Sequence, residues 1–349
     1  MTEGPLEAVR RTLRDWWRDG ESKLTFVMAV AAAVVAGFAP SAVIDHIGWA
    51  VALSCGAAAV YLLVACARRW RLIRRDSAAV VVFAPLPKWQ QNFASDALRY
   101  TQARFHRQYF AKRTLESEQP SSWADSIDDL VAMAGMGFSE EEVVEPASTT
   151  SLGFLVSAPW PVLWRVGERL GLENFTHRVV VLQNSKERPG DFFEAVRFTR
   201  SAAGLEQLDE YGLIAAERRD REVLSMEGDG PLRASIIIET GRRHHLAGQA
   251  EPHLAQLQIE RSLVLENTYG GTLPERFDDH HQLFHEVHHA TATFVRDTKV
   301  AAGARGAEFW VFANPTQSLA FALGAYLHGA GVFHPMAYVV EAATYVEAP

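Results

Sequence analysis

His285, Glu286, Val287, His288 and His289 spell H-E-x-x-H. On a helix this spacing brings two imidazoles to one face as zinc ligands and leaves the glutamate as general base for a bound water. The ligands would be His285 and His289, with Glu308 as the candidate third. The match is weakened by its surroundings, because five histidines (His280, His281, His285, His288 and His289) fall within ten residues. Phe284, Val287, Thr291, Phe294 and Val295 also explain the same segment as an amphipathic cover for a sheet. The chain has no Walker loop, no G-x-G-x-x-G and no G-x-S-x-G, so nucleotide hydrolysis and serine-hydrolase chemistry lack support. A second set of chemically useful residues is polar and non-catalytic: Ser157 and Trp160, Lys186, the basic run Thr240, Arg242, Arg243 and His244, and Asn314, Thr316 and Gln317. Guanidinium groups suit phosphate, and a helix opening near Asn314 would favour an anion at its N-terminus.

These groups follow a different kind of segment. Leu24–Ile44 and Ile47–Ala67 are apolar runs without an ionisable side chain, separated by Asp45 and His46 alone. Each has about the length of a membrane-crossing helix, roughly 20 residues, and so short a connection requires an antiparallel hairpin. Arg10, Arg11, Arg14, Arg18 and Lys23 precede the first run; Arg68, Arg69, Arg71, Arg74 and Arg75 follow the second. The turn between has no Lys or Arg, so both termini are expected to be cytosolic in a two-pass membrane protein. Ala29, Ala33 and Gly37, with Gly48, Ala52 and Gly56, place small residues at the spacing that lets membrane helices approach. No charge lies at depth, which suits an anchor or assembly element better than a transport path.

The net charge is −8 from 34 basic and 42 acidic residues. Residues 1–75 hold 10 basic and 6 acidic side chains, which leaves 24 basic and 36 acidic, a net −12, in residues 76–349. So acidic a portion argues against a long nucleic-acid partner, whose affinity comes mainly from phosphate neutralisation. Cys55 and Cys66 both fall in the second apolar run, so the remainder has no disulfide and no thiol nucleophile.

After Arg75 a β-rich run, Ala78–Phe83, precedes a segment with helical spacing over 88–113. Residues 114–150 carry nine acids and no base and read as an irregular or partly helical insertion. Strands are then expected at 152–156, 179–182, 234–238, 308–313 and 337–340, with helices from Trp160, over 278–300 and over 316–328. Short strands alternating with helices predict an α/β protein with mostly parallel sheets, built as two related units, whose ligands bind beyond the carboxyl ends of the strands.

The run Phe309–Pro315, continued by Ser318–Gly324 in an "AFALG" helix and a last strand ending near Tyr345, resembles the end of the SAVED domain. The resemblance is clearest over 230–345 and weaker over 150–230. It implies two fused Rossmann-like (CARF-like) units that sense a cyclic oligonucleotide in bacterial antiphage signalling (CBASS). With the two spans in front, it implies a two-transmembrane SAVED effector. The expected organisation is a cytosolic flank at 1–23, a two-helix transmembrane hairpin at 24–67, a connecting region of uncertain role at 76–150 and a SAVED-like sensor at 151–349. The implied partners are a cyclic di- or trinucleotide, inner-membrane lipid, further copies of the chain on ligand binding, and a cyclic-oligonucleotide synthase linked by function. The loop residues named above would bind the messenger, with no cofactor and no catalytic residue. Clustering of the hairpins would disrupt the membrane and cause abortive infection. The alternatives are a membrane-anchored zinc metallopeptidase using HEVHH and a passive membrane tether.

Overall fold

The computed structural model describes residues 76–87, 92–144, 151–171, 178–198, 212–221, 230–240, 245–270, 272–339 and 344–349. The flank 1–23 and both expected spans lie outside them; among the described residues no helix is long and apolar enough to cross a membrane.

The described part is mixed α/β with two sheets. The first contains β1 (Asp76–Phe83), β2 (Phe105–Lys112), β3 (Ser151–Ser157), β4 (Arg178–Asn184) and β5 (Phe192–Phe198), in the order β2-β1-β3-β4-β5. Strands β1 to β4 are mutually parallel and β5 returns antiparallel to β4. The second contains β6 (Ile214–Asp220), β7 (Leu232–Glu239), β8 (Arg261–Asn267), β9 (Ala307–Ala313), β10 (Val332–Val339) and β11 (Thr344–Glu347), in the order β11-β10-β9-β7-β8-β6. Here β7 to β10 are parallel, while β11 and β6 run antiparallel at the two edges. Counted from β7, the second sheet repeats the first: order 2-1-3-4-5 with a reversed fifth strand. The central strands are β-branched runs, Val80–Val82, Val179–Val181 and Ile236–Ile238, buried on both faces, as parallel sheets covered by helices require.

The helices are α1 (Asn92–Arg104), α2 (Ala124–Val144), α3 (Trp160–Leu170), α4 (Leu246–Gln256), α5 (Phe277–Ala302) and α6 (Gln317–Tyr326). The helical spacing expected over 88–113 divides in two. Among the described residues 92–104 is helical, and Phe105–Lys112 becomes strand β2, paired along its length with β1. Aromatic Phe105, Tyr109 and Phe110 fit a pleated surface at least as well as a helix, and pairing with the apolar β1 decides the outcome. The acidic stretch that followed is partly helical, as one of the two expected readings had it, but its helix α2 covers the first sheet and is not an insertion. Ile127, Leu130 and Ala134 of α2 are fully buried against the first sheet, while Asp125 and Asp128 are exposed. Residues 76–144 thus supply two strands and two covering helices to the first sheet.

Helices α3 and α6 join the two units. They meet at Gly167 and Gly324, where the backbone of each helix passes so close that a β-carbon would overlap the other's carbonyl oxygens. One apolar core runs through this seam, from Val80 and Phe154 in the first sheet to Val311 and Phe333 in the second. Phe154 and Phe321 rings lie 5.0 Å apart across it.

Candidate ligand-binding site

In a sheet of order 2-1-3-4-5 the loops leaving strands 1 and 3 diverge to opposite faces and open a crevice. In the second sheet those loops begin at Thr240, after β7, and at Asn314, after β9. A cavity of about 640 Å³ lies there, within the range of roughly 300–1,000 Å³ usual for ligand sites. Its wall combines Thr240, Tyr269, Thr272, Leu273, Glu275, His280, Leu283 and Asn314–Gln317 with Gln183, Asn184, Lys186 and Phe193 from the first sheet. A bound molecule would touch both units.

Local hydrogen bonds fix this wall. Asn314 N–H donates to Ile238 O at 3.1 Å, continuing the β7–β9 ladder by one step. The Asn314 side-chain carbonyl accepts from Thr240 N–H at 3.1 Å, and Tyr269 OH donates to Thr240 O at 2.8 Å. Thr316 caps α6, its hydroxyl accepting from Leu319 N–H at 3.4 Å. Ser318 then donates through its N–H (3.2 Å) and its hydroxyl (2.8 Å) to the side-chain Oε1 of Gln183, tying the head of α6 to the end of β4. Glu239, buried at the end of β7, accepts from His245 N–H and from Leu246 N–H (3.2 Å) and so holds the start of α4.

Several polar atoms in the wall are unused. Asn184 Oδ1, Thr240 Oγ1 and His280 Nε2 are enclosed and find no hydrogen-bond partner among the described residues. Thr240 is only 6% exposed and His280 8%. A buried polar atom left alone costs on the order of 1–3 kcal/mol, so three around one cavity mark it as a place for a polar guest. Burial lowers the His280 imidazole below its ordinary value of 6.5, which keeps it neutral and able to accept. Burial also pushes the Tyr269 phenol up to about 12, which keeps it a donor. Phe193 and Tyr269 add aromatic surface, and Phe193 meets the His280 ring edge-on at 4.9 Å. Lys186 and Glu275 bring the fixed charges. The donors, acceptors and rings converge as a binding surface.

Of the residues singled out from the sequence, Lys186, Thr240, Asn314, Thr316 and Gln317 meet in this wall. Arg242, Arg243 and His244 lie outside the described residues, between Thr240 and His245 in the chain. Ser157 and Trp160 stand at the corresponding switch point of the first sheet, outside this cavity. Ser157 O accepts from Ala84 N–H at 2.9 Å, and the Trp160 ring packs edge-on against Trp164 with centroids 6.4 Å apart. Asn184, Phe193, Tyr269, Glu275 and His280 were not selected from the sequence. The rule that picked Lys186 applied equally to Asn184, which ends β4, and to Tyr269, two residues beyond β8.

The H-E-x-x-H residues are engaged elsewhere. The Glu286 carboxylate is buried and accepts from Gly212 N–H (3.0 Å), Leu213 N–H (2.8 Å), Ile214 N–H (3.0 Å) and the Gln282 amide (2.8 Å). A carboxylate so bonded anchors the start of β6 and is not placed as a base for water. His285 Nε2 lies 2.9 Å from His281 Nε2, and Glu308 faces His334 at 3.9 Å. Among the described residues no group of three or more His, Cys, Asp or Glu side chains is gathered as metal ligands.

No protein-family model matches the chain, and no curated protein is similar to it. Solved structures that resemble it include the Cap4 SAVED/CARF-domain containing receptor of Acinetobacter baumannii with the cyclic trinucleotide 3'3'3'-cAAA. That match has a TM-score of 0.49 at 10% identity and covers 83% of this chain and 55% of that one. The same receptor with 2'3'3'-cAAA gives 0.47 at 11% identity, again over 83% and 55%. The Moraxella osloensis receptor gives 0.40 at 11%, over 79% and 49%. The chain thus spans about half the length of these receptors.

Proposed function

We propose that this protein is a membrane-anchored sensor that takes a cyclic oligonucleotide into the cavity between its two sheets. The observation that carries the reading is the set of unpartnered, enclosed polar atoms, Asn184 Oδ1, Thr240 Oγ1 and His280 Nε2, around one cavity at a topological switch point. A nucleotide base offers amide-like edges to these atoms and a face to Phe193 or Tyr269. Its phosphates match Lys186, and the basic residues Arg242–His244 follow Thr240 and Gly241 in the chain. The SAVED-like sequence of α6 and its flanking strands supports the same ligand class.

The apolar runs 24–44 and 47–67 would anchor the sensor. Ligand binding that favours side-by-side assembly would bring many hairpins together, and their clustering would disrupt the inner membrane and stop an infected cell. No catalytic step is required.

The test is calorimetric titration of the full chain in detergent with a panel of cyclic di- and trinucleotides, starting with the two cAAA isomers. One selective, saturable ligand supports the reading, and a well-folded protein that binds none overturns it. Ligand-triggered dye release from liposomes bearing the protein separates an effector from a passive tether, which would release nothing. Deleting residues 1–75 should abolish toxicity in cells and leave ligand binding intact.

A further inference from the structure

The mouth of the cavity contains an anion-binding arrangement that is held by one of the protein's own carboxylates. After β4 the chain turns through Ser185–Asp191 and closes on itself: Ser185 N–H donates to Asp191 O at 2.9 Å, Asp191 N–H to Arg188 O at 3.0 Å, and Arg188 N–H to Ser185 Oγ at 2.8 Å. This closure directs three donors outward together, the Ser185 hydroxyl and the N–H groups of Lys186 and Glu187. All three are taken by Glu275, from the loop that precedes α5 in the other unit. Its Oε2 accepts from Ser185 Oγ, and its Oε1 from Lys186 N–H and from Glu187 N–H at 3.2 Å. Successive backbone N–H groups converging with a hydroxyl form a nest of the kind that binds phosphate oxygens, and Lys186 and Arg188 add positive charge around it. Glu275 and Lys186 both line the cavity, whose wall also holds the unpartnered, 94%-buried Thr240 hydroxyl.

We propose that the turn Ser185–Glu187 is the phosphodiester seat of this cavity and that Glu275 occupies it as an internal competitor until a ligand phosphate displaces it. The inference rests on the sensor reading and deepens it. A carboxylate and a phosphodiester each carry one negative charge and present two oxygens, so the exchange keeps every donor of the seat satisfied. The freed Glu275 side chain sits at the partly exposed rim, where water can take it. Because Glu275 ties the loop before α5 to the loop after β4, its release also unties the two units at the cavity mouth. A ligand without an anionic phosphate cannot make the exchange.

The experiment compares the wild-type chain with Glu275→Gln, Glu275→Ala and Ser185→Ala, all full-length in detergent. Each is titrated separately with 3'3'3'-cAAA and with inorganic pyrophosphate, and melting is recorded alongside. Removing the competitor should tighten pyrophosphate binding by about tenfold, because the seat is then free in a larger fraction of molecules. The cyclic trinucleotide should tighten by a similar factor. Ser185→Ala, which removes a donor of the seat, should weaken both. Glu275→Gln keeps the shape and one acceptor oxygen, so it carries the test if Glu275→Ala melts early. Unchanged or weaker binding of both probes in the folded Glu275 variants would overturn the proposal and make Glu275 a structural clamp. The two readings fail separately. Tight cAAA binding with no gain in the Glu275 variants removes the seat and keeps the sensor. A gain for pyrophosphate with no cAAA binding to any protein keeps the seat and removes this messenger.

Discussion

Gly167 and Gly324 cover each other's helices: the Phe321 carbonyl lies over Gly167, and the Trp164 carbonyl lies over Gly324. Each glycine is the eighth residue of its helix, α3 or α6, and each faces the residue three positions before the other glycine. The relationship is reciprocal, as expected for two equivalent halves around a local two-fold axis. It fixes where the head of α6, and with it Thr316 and Gln317, stands against the end of β4.

Alanine at either glycine should therefore destabilise the fold, because the added methyl meets backbone and not a side chain that can turn away. The expected cost is about 1–3 kcal/mol for Gly324→Ala, and similar for Gly167→Ala. Urea unfolding followed by tryptophan fluorescence would measure it. Alanine at Gly248, where a β-carbon meets nothing within 4 Å, provides the contrast and should cost nothing.

Pocket variants should separate ligand recognition from framework. Lys186→Ala should weaken cyclic-oligonucleotide binding by about tenfold or more, the scale of one hydrogen bond to a charged group. Asn314→Ala also strips Thr240 N–H of its acceptor, so it should lower stability by about 1–3 kcal/mol as well as affinity. Ser157→Ala should leave affinity unchanged, since the backbone carbonyl of Ser157 makes the bond to Ala84. Titration calorimetry and melting on the same samples would distinguish these outcomes.

The histidine-rich face of α5 makes stability depend on pH. Burial lowers His288 to about 4, with the neighbouring His285 and His289 adding to the effect. His281 is also brought to about 4, by burial and then by His285 and Arg197. Both folded values lie below the ordinary 6.5, so between pH 6.5 and about 4 the unfolded chain binds more protons than the folded one. The stability these neutral imidazoles contribute is complete above pH 6.5 and falls as the pH drops toward 4. Urea midpoints at pH 7.5, 6 and 5 should decline in that order. His288→Phe, which keeps the ring stacked on Phe284 without a titrating group, should flatten the decline.

Glu286 offers a decisive contrast between a structural and a catalytic carboxylate. Three backbone N–H groups at 212–214 depend on it, so Glu286→Ala should cost about 3 kcal/mol or more. Glu286→Gln, which keeps an acceptor oxygen, should cost less. Loss of melting temperature in Glu286→Ala, with His289→Gln close to wild type, would show that the two residues do not act together on a metal. Equal, fold-neutral effects would point the other way.

Much of this was legible in the sequence because it depends on local patterns. Val179–Leu182 and Ala234–Ile238 can only be buried strands, and the turn at Asn314–Pro315 announces a helix. The polar residues following such strands fall where crevices form, which is why Lys186, Thr240 and Asn314 stand out. Phe105–Lys112 was not legible, since its aromatics suit a helix face or a strand until β1 supplies a partner. Glu275 was not legible either. It lies in a loop with no periodicity, and its role comes from meeting Ser185 across ninety residues of chain. The H-E-x-x-H spacing was legible but misleading, because the motif says nothing about the backbone at 212–214 that takes its glutamate.

The contact between α3 and α6 has a mechanical consequence. Where helices touch through long side chains, rotamer changes let one slide past the other; where backbone lies on backbone, no such give exists. The two halves are locked at this seam like meshed teeth. Any change of shape on binding must then come from the rims of the cavity: the turn after β4, the segment before α5 and the strand-end loops. The fold is a stiff frame with compliant edges, and its response to a ligand is a rearrangement of those edges.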